Sequence, residues 1–260
     1  MVRVKNLLRL FRLAGLVWVF FRITLRWYFE VVRHGHQHLL SRRAEWMRNS
    51  AKSLADHMRL EIRLQGVPPE NGVLISNHLG YLDILVLGSV RPTIFVSKAE
   101  VRSWPWVGWL TECAGTLFID RESRKDVARL REGIEARLSQ GVPIAFFPEG
   151  TSTGGGEFLP FRPSLLEPAC SSGCMVTPAF IAYDLPEGGD VSEEVCYWKD
   201  MTFGPHIWNL LDKPRIVASV IYGKARDPGS DRKVLAKTLQ EEVQELRRIY
   251  SSGSMTARQV

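Results

Sequence analysis

Between residues 60 and 222, short apolar runs alternate with stretches of helical periodicity. This alternation constrains the fold more than any other feature of the chain. Runs at 60–64, 73–76, 93–97, 116–119, 143–147, 175–183 and 215–222 read as strands, several of them continuously apolar as in strands buried on both faces. Between and after them, 82–90, 125–139 and 231–250 carry helical patterns. The middle one has Ser123 placed to cap its start and Gly141 to close it. Such an order predicts an α/β domain: a mixed, largely parallel sheet flanked by helices. At 260 residues with 45% hydrophobic content the chain can bury a sizeable core, and it resembles neither a disordered nor a multi-span membrane sequence. The expected division is N-terminal membrane-associated helices over 1–58, the α/β domain over 59–250 and a flexible tail over 251–260.

Charge separates the first of these segments from the rest. Residues 1–48 hold ten Lys/Arg against two acids, whereas the remainder holds 24 against 26. A fold that wraps nucleic acid carries its positive charge on its own body, so no nucleic-acid partner is expected. At about 100° per residue, Lys5, Arg9, Arg12, Arg22, Arg26 and Arg33 share one arc of a helix. Leu7, Leu10, Phe11, Val17, Trp18, Phe21, Leu25, Tyr28 and Phe29 lie mostly opposite. An amphipathic helix with aromatic anchors and a basic face suits the membrane interface and anionic lipid. A spanning helix over 13–32 is the competing reading. Its eleven Leu/Ile/Val/Phe residues would contribute roughly −3 to −7 kcal/mol, against about 2.5–3.5 kcal/mol for a central Arg22 and smaller costs from Arg26 and Glu30. The one-sided arginine stripe favours lying on the surface. A third reading makes this helix a cap on the domain core. Residues 39–60 continue as a second amphipathic helix.

Four cysteines, with no paired CxxC spacing, read as reduced structural thiols and point to a domain facing the cytosol. The expected location is the cytoplasmic face of a membrane, a bacterial inner membrane, either lying on it or with one N-terminal span. No signal peptide is evident. His34 and His38 could share a helix face, but no acid or cysteine nearby completes a metal site, and an interfacial turn is expected instead.

The chemistry concentrates after the second strand, in Ser76-Asn77-His78-Leu79-Gly80-Tyr81-Leu82-Asp83. His78 leaves the strand end and Asp83 falls in the first turn of the next helix, so the two can meet across the turn. A carboxylate on one ring nitrogen fixes the tautomer and leaves the other nitrogen free as a base. Taken alone, the pair reads equally as a loop histidine beside a helix-capping aspartate.

Further stretches add to it. Val96-Ser97-Lys98-Ala99-Glu100 and Trp104-Pro105-Trp106-Val107-Gly108-Trp109-Leu110 come next, followed by Gly115-Thr116-Leu117-Phe118-Ile119-Asp120-Arg121. Phe147-Pro148-Glu149-Gly150-Thr151 and Val176-Thr177-Pro178-Ala179-Phe180-Ile181 complete the series. With Asn77-His78-x4-Asp83, the series resembles, in order, the motifs of the glycerolipid acyltransferase family. The likeness covers about residues 70–185 and implies a set of roles. His78 would be general base on the acceptor hydroxyl and Asp83 would orient it. Asn77, Arg121, Glu149, Gly150 and Thr151 would serve substrate binding, with Arg121 on the acceptor's phosphate. Pro178 would be structural. Backbone N–H groups near Gly150 would stabilise the oxyanion. The resemblance implies acyl-CoA or acyl-carrier protein as donor, a lysolipid held in the membrane as acceptor, and no metal or cofactor. One departure matters: many phosphatidate-forming members have arginine where Ser152 stands. Lysophosphatidate is the first acceptor expected, with lyso-ornithine lipid or lysophosphatidylcholine as alternatives.

Gly150-Thr151-Ser152-Thr153-Gly154 also satisfies G-x-S-x-G, with Asp190 or Asp200 and then His206 in hydrolase order. The glycines at 154–156 make a poor helix start for a nucleophile elbow, and this reading leaves the other motifs unexplained. A non-enzymatic membrane scaffold built on the basic helix is the remaining alternative.

Overall fold

The computed structural model describes residues 2–36, 38–104, 106–119, 124–256 and 258–259. Among these are strands β1 (Leu60–Gln65), β2 (Val73–Ser76), β3 (Ile94–Lys98), β4 (Leu117–Ile119), β5 (Ile144–Phe146), β6 (Val176–Asp184), β7 (Ile216–Tyr222) and β8 (Arg258–Gln259). They join in the order β4-β3-β5-β2-β6-β7-β1-β8. β6–β7 and β1–β8 are antiparallel and the other pairings parallel, so the sheet is mixed and largely parallel as expected. β2, β5 and β7 are buried along their whole length, which is why their sequences run apolar without alternation.

Helices cover both faces. On one, α2 (Leu39–His57), α3 (Leu82–Val90) and α8 (Phe203–Leu210) place Ala55, Val86 and Leu210 against Leu74, Ala145 and Ile181. On the other, α5 (Arg124–Leu138), α6 (Pro163–Ser172) and α9 (Arg232–Ser251) place Ile134, Leu166 and Leu239 against Val73, Ile75 and Ile144. Burying each such side chain is worth about 1.5–3 kcal/mol, so the two faces together dominate the stability of the domain. Asp231 caps α9 by accepting from the N–H groups of Lys233 and Val234. Two shorter helices, α4 (Val107–Cys113) and α7 (Val191–Glu194), lie in the connections.

The N-terminal segment forms α1 (Val2–Glu30). No helix among the described residues is long and apolar enough to cross a membrane. One side of α1 is docked on the domain: Leu16 and Ile23, with Val31 just past the helix, share a cluster with Trp46, Leu54 and Cys113. Gly15 makes the close approach possible, because a Cβ there would sit 2.6 Å from the His57 ring. That ring's Nε2 in turn lies 2.8 Å from the Arg12 carbonyl.

Part of the basic arc expected to meet anionic lipid faces the domain instead. Arg12 is buried and donates to the carbonyls of Leu211 (2.7 Å) and Lys213 (2.8 Å), just past the C-terminus of α8. Arg9 pairs with Asp212 at 3.0 Å. The C-terminal end of α8 presents the unpaired carbonyls that attract guanidinium groups. The opposite side of α1 is apolar and open: Leu10, Phe11, Val17, Trp18, Phe21, Leu25, Tyr28 and Phe29 are all exposed, Phe11 at 78%.

The sequence reading missed α4, α6, α7 and α8. It also expected residues 251–260 to fray, whereas Arg258 and Gln259 pair with Leu64 and Arg63 of β1. The Ser123 cap lies outside the described residues.

Candidate active site

The chains leaving β2 and β5 diverge to opposite faces of the sheet: β2 leads into α3, and β5 leads towards α6. Crevices at such points, beyond the carboxyl ends of parallel strands, are where α/β sheets bind ligands. His78 follows β2 and Phe147-Pro148-Glu149-Gly150 follows β5, so the fold brings the first and third sequence motifs together.

His78 Nδ1 donates to Asp83 Oδ2 at 2.7 Å. The same oxygen accepts from the backbone N–H groups of Leu79 (2.6 Å) and Gly80 (3.0 Å). Asp83 Oδ1 accepts from the Tyr183 hydroxyl at 2.7 Å. A fully buried carboxylate, 0% exposed, therefore has four donors. Such hydrogen bonds replace the water that a buried carboxylate has lost. The imidazole stacks on Phe147, ring centroids 4.0 Å apart and planes 7° from parallel. With Nδ1 engaged, Nε2 has no hydrogen bond among the described residues and is the nitrogen available to substrate. Its side chain is one-fifth exposed.

The backbone around His78 is held on every side. Glu149 Oε1 accepts from the His78 N–H and Oε2 from the Leu159 N–H, both at 2.9 Å. The His78 carbonyl accepts from Thr153 N–H (2.9 Å) and the Leu79 carbonyl from Tyr197 N–H (2.8 Å). Gly80 is required here: its φ is 152° and a Cβ would fall 2.8 Å from the Tyr197 nitrogen. Asn77 bridges to β6 in both directions, its Oδ1 accepting from Ile181 N–H (2.8 Å) and its Nδ2 donating to the Ile181 carbonyl (2.9 Å). It substitutes for a strand residue where β2 has ended and β6 continues.

The expected substrate-binding residues take the following places. Asn77 and Glu149 are buried and their polar atoms meet backbone groups. Burial pushes the Glu149 carboxyl upward, opposed by the N–H donors of Leu159 and His78. Gly150 adopts φ 82° and its own N–H closes a turn on the Phe147 carbonyl, which removes that N–H from the oxyanion role. Thr151 is exposed on the loop beyond the turn. Arg121 lies outside the described residues.

The hydrolase constellation does not assemble. Ser152 Oγ donates to the Tyr197 carbonyl at 2.6 Å. His206 is occupied elsewhere, with Nδ1 on the Tyr81 hydroxyl (2.7 Å) and Nε2 on the Cys196 carbonyl (3.0 Å). Burial lowers the pKa of His206 and fixes it as a neutral structural imidazole. Asp190 caps α7. No helix follows Ser152 before α6 at Pro163.

Two functional contacts were missed by sequence reasoning. Tyr183 sits in an apolar strand run and meets Asp83 only through the topology. The Tyr81–His206 contact joins the catalytic loop to α8, which the sequence reading did not identify.

Comparison with known proteins extends this picture. Residues 59–182 match the family model described as Acyltransferase. The chain is 37% identical over 161 residues to the lyso-ornithine lipid O-acyltransferase of Rhodobacter capsulatus, covering 60% of this chain and 58% of that protein. It is 35% identical over 185 residues to the protein of the same name from Pseudomonas aeruginosa, 70% of each. To the 1-acyl-sn-glycerol-3-phosphate acyltransferase of Neisseria gonorrhoeae it is 29% identical over 187 residues, 71% of this chain and 72% of that one. The crystal structure of the 1-acyl-sn-glycerophosphate acyltransferase PlsC from Thermotoga maritima shares the fold, with a TM-score of 0.61 at 21% identity over 95% of this chain and 98% of that one. The His78–Asp83 pair at the sheet's carboxyl edge and the likeness to relatives across most of the domain lead to the same conclusion: this chain belongs to the acyltransferase family.

Proposed function

We propose that the protein transfers a fatty acyl group from a thioester donor, acyl-CoA or acyl-carrier protein, to the free hydroxyl of a lysolipid. The observation that carries this reading is the His78–Asp83 pair with Nε2 left free above a buried, four-donor carboxylate. His78 takes the hydroxyl proton as the oxygen attacks the thioester carbonyl. Asp83 stabilises the imidazolium so formed. The tetrahedral adduct then expels thiolate, which takes the proton back from Nε2, leaving an ester and a free thiol. The thioester is already activated, so no covalent enzyme intermediate is needed.

For the acceptor, we place lyso-ornithine lipid ahead of 1-acylglycerol-3-phosphate. Two observations support this order: serine stands at 152, where many phosphatidate-forming members have a phosphate-binding arginine, and 37% and 35% identity links the chain to lyso-ornithine lipid acyltransferases. The test is a panel of acyl-CoA and acyl-carrier-protein donors against lyso-ornithine lipid, lysophosphatidate and lysophosphatidylcholine in mixed micelles. Preferential turnover of lyso-ornithine lipid is expected. Preference for lysophosphatidate would reverse the order of acceptors, and turnover of none of the three would overturn the function.

The open apolar side of α1 supports docking on a membrane surface. Each large side chain on that side gains about 1.5–3 kcal/mol when removed from water. The double substitution Phe11→Asp and Phe21→Asp is expected to weaken co-sedimentation with phospholipid vesicles by at least about tenfold, a conservative reading of that scale. Because Arg9 and Arg12 are occupied by the domain, added salt should weaken vesicle binding much less than the same double substitution. Vesicle binding unaffected by the substitutions would remove α1 as the docking element.

A further inference from the structure

We infer that Tyr183 is a positioning residue for catalysis: its hydroxyl sets how strongly Asp83 holds the catalytic imidazole. The inference rests on His78 being the base, and it adds a residue outside the motifs that the sequence reading assigned a role.

The two carboxylate oxygens of Asp83 do different work. Oδ2 receives His78 Nδ1–H and the two backbone N–H groups of Leu79 and Gly80. Among the described residues, Oδ1 receives only the Tyr183 hydroxyl, at 2.7 Å. The phenol therefore locks the rotation of the carboxylate about its Cβ–Cγ bond and satisfies its second oxygen. It also draws negative charge away from the oxygen that faces His78. A carboxylate stripped of that donor concentrates its charge on the remaining hydrogen bonds and holds an imidazolium more tightly. Too tight a hold hinders both halves of the reaction: less of the free base is present near neutral pH, and the proton is returned less readily to the leaving thiolate.

Tyr183 is built for a fixed role. It lies on β6, one of the longest strands of the sheet, and is 5% exposed. Its ring packs in the same core cluster as Leu79, Leu82 and Phe147, which carry the catalytic loop. Burial pushes its own ionisation well above the ordinary tyrosine range, and the Asp83 charge adds to this, so it remains a hydrogen-bond donor throughout the working pH range. The other titratable groups around the pair are accounted for. Glu149 is turned to the backbone of His78 and Leu159. Cys196 is held protonated by burial, which raises it to about 12. Tyr81 is committed to the neutral His206.

The experiment compares Tyr183→Phe with Tyr222→Phe. Tyr222 is a buried tyrosine of the neighbouring strand β7, at the opposite end of the β6–β7 pairing from Tyr183. kcat/KM for one acyl-CoA and one lysolipid is measured from pH 5 to 9 on the full chain, with thermal unfolding in parallel. Tyr183→Phe is expected to move the acid limb of the profile upward by about half a unit to one unit. It should also lower kcat about tenfold with little change in KM, as loss of one charge-assisted hydrogen bond acting on the chemical step predicts. Tyr222→Phe should leave the profile in place. A Tyr183→Phe enzyme with the wild-type profile overturns the inference, as does an equal shift in both variants. Should Tyr183→Phe unfold below assay temperature, the proton NMR resonance of His78 Nδ1–H in the variant at low temperature decides: a position unchanged from wild type overturns it. Failure of His78 itself to act as base would show separately, as retained activity in a His78→Ala enzyme.

Discussion

Replacing His78 by alanine is expected to lower kcat by about a thousandfold, within the range that a positioned general base contributes, with acceptor KM changing little. The side chain is partly exposed, its backbone is held by Glu149 and Thr153, and the next residue, Leu79, is held by Asp83. The loop should therefore survive the truncation, and thermal unfolding should move by only a few degrees. Ser152→Ala serves as the counterpart. It removes one hydrogen bond to the Tyr197 carbonyl and none to the His78 ring, and most activity should remain. Steady-state kinetics on both variants with the preferred lysolipid checks the result. Activity lost in Ser152→Ala and retained in His78→Ala would overturn the acyl-transfer mechanism in favour of hydrolase chemistry.

Asp83→Asn should cost as much or more, about 10³–10⁴-fold in kcat, by the logic of a charge-compensated histidine base. Its interest lies in what the substitution leaves intact. A carboxamide can present its oxygen where Oδ2 stands and still accept from His78, Leu79 and Gly80. Its amide can then face the Tyr183 hydroxyl, which rotates to accept. Geometry is kept and only the negative charge disappears, so the imidazolium loses its partner at the moment it forms. Asp83→Ala instead leaves two backbone N–H groups and a phenol unpaired in a buried site and should also destabilise the fold, since each such group costs about 1–3 kcal/mol. If Asp83→Asn were to fold and keep near-wild-type kcat, charge compensation would not be the role of this residue. Far-ultraviolet circular dichroism and thermal unfolding, run beside the kinetics, separate the two effects.

The sheet was legible in the sequence because its strands are buried on both faces: a run such as Val73–Ser76 or Ile216–Tyr222 admits little else between turn signals. The contact between His78 and Asp83 was legible because the two are local, five residues apart on one turn. What surrounds the pair was not. Asn77 and Glu149 carry polar side chains that look suited to substrate, and nothing in their spacing says that each will be used by backbone groups of Ile181, His78 and Leu159. Tyr183 lies 100 residues from Asp83 in an apolar run, where an aromatic reads as core. Arg12 shared a helical arc with solvent-facing arginines, and only the placement of the α8 C-terminus shows why it is buried. Helix α8 itself begins Phe203-Gly204-Pro205, a start that weakens any helical pattern, and tertiary packing of His206 and Leu210 sustains it.

The docking of α1 has a consequence for how such an enzyme meets its substrate. The helix is joined to the body by a buried guanidinium on two carbonyls, by the Arg9–Asp212 pair and by a glycine that lets His57 touch its backbone. These contacts are directional, so α1 does not swivel freely as a greasy tether would. A bilayer that takes up its outer side therefore fixes the tilt and height of the entire sheet, and with them the level at which His78 Nε2 stands above the lipid. Under the proposed docking, the acceptor arrives by lateral diffusion within a plane, and the surface density of lysolipid, rather than its bulk concentration, becomes the quantity that governs turnover.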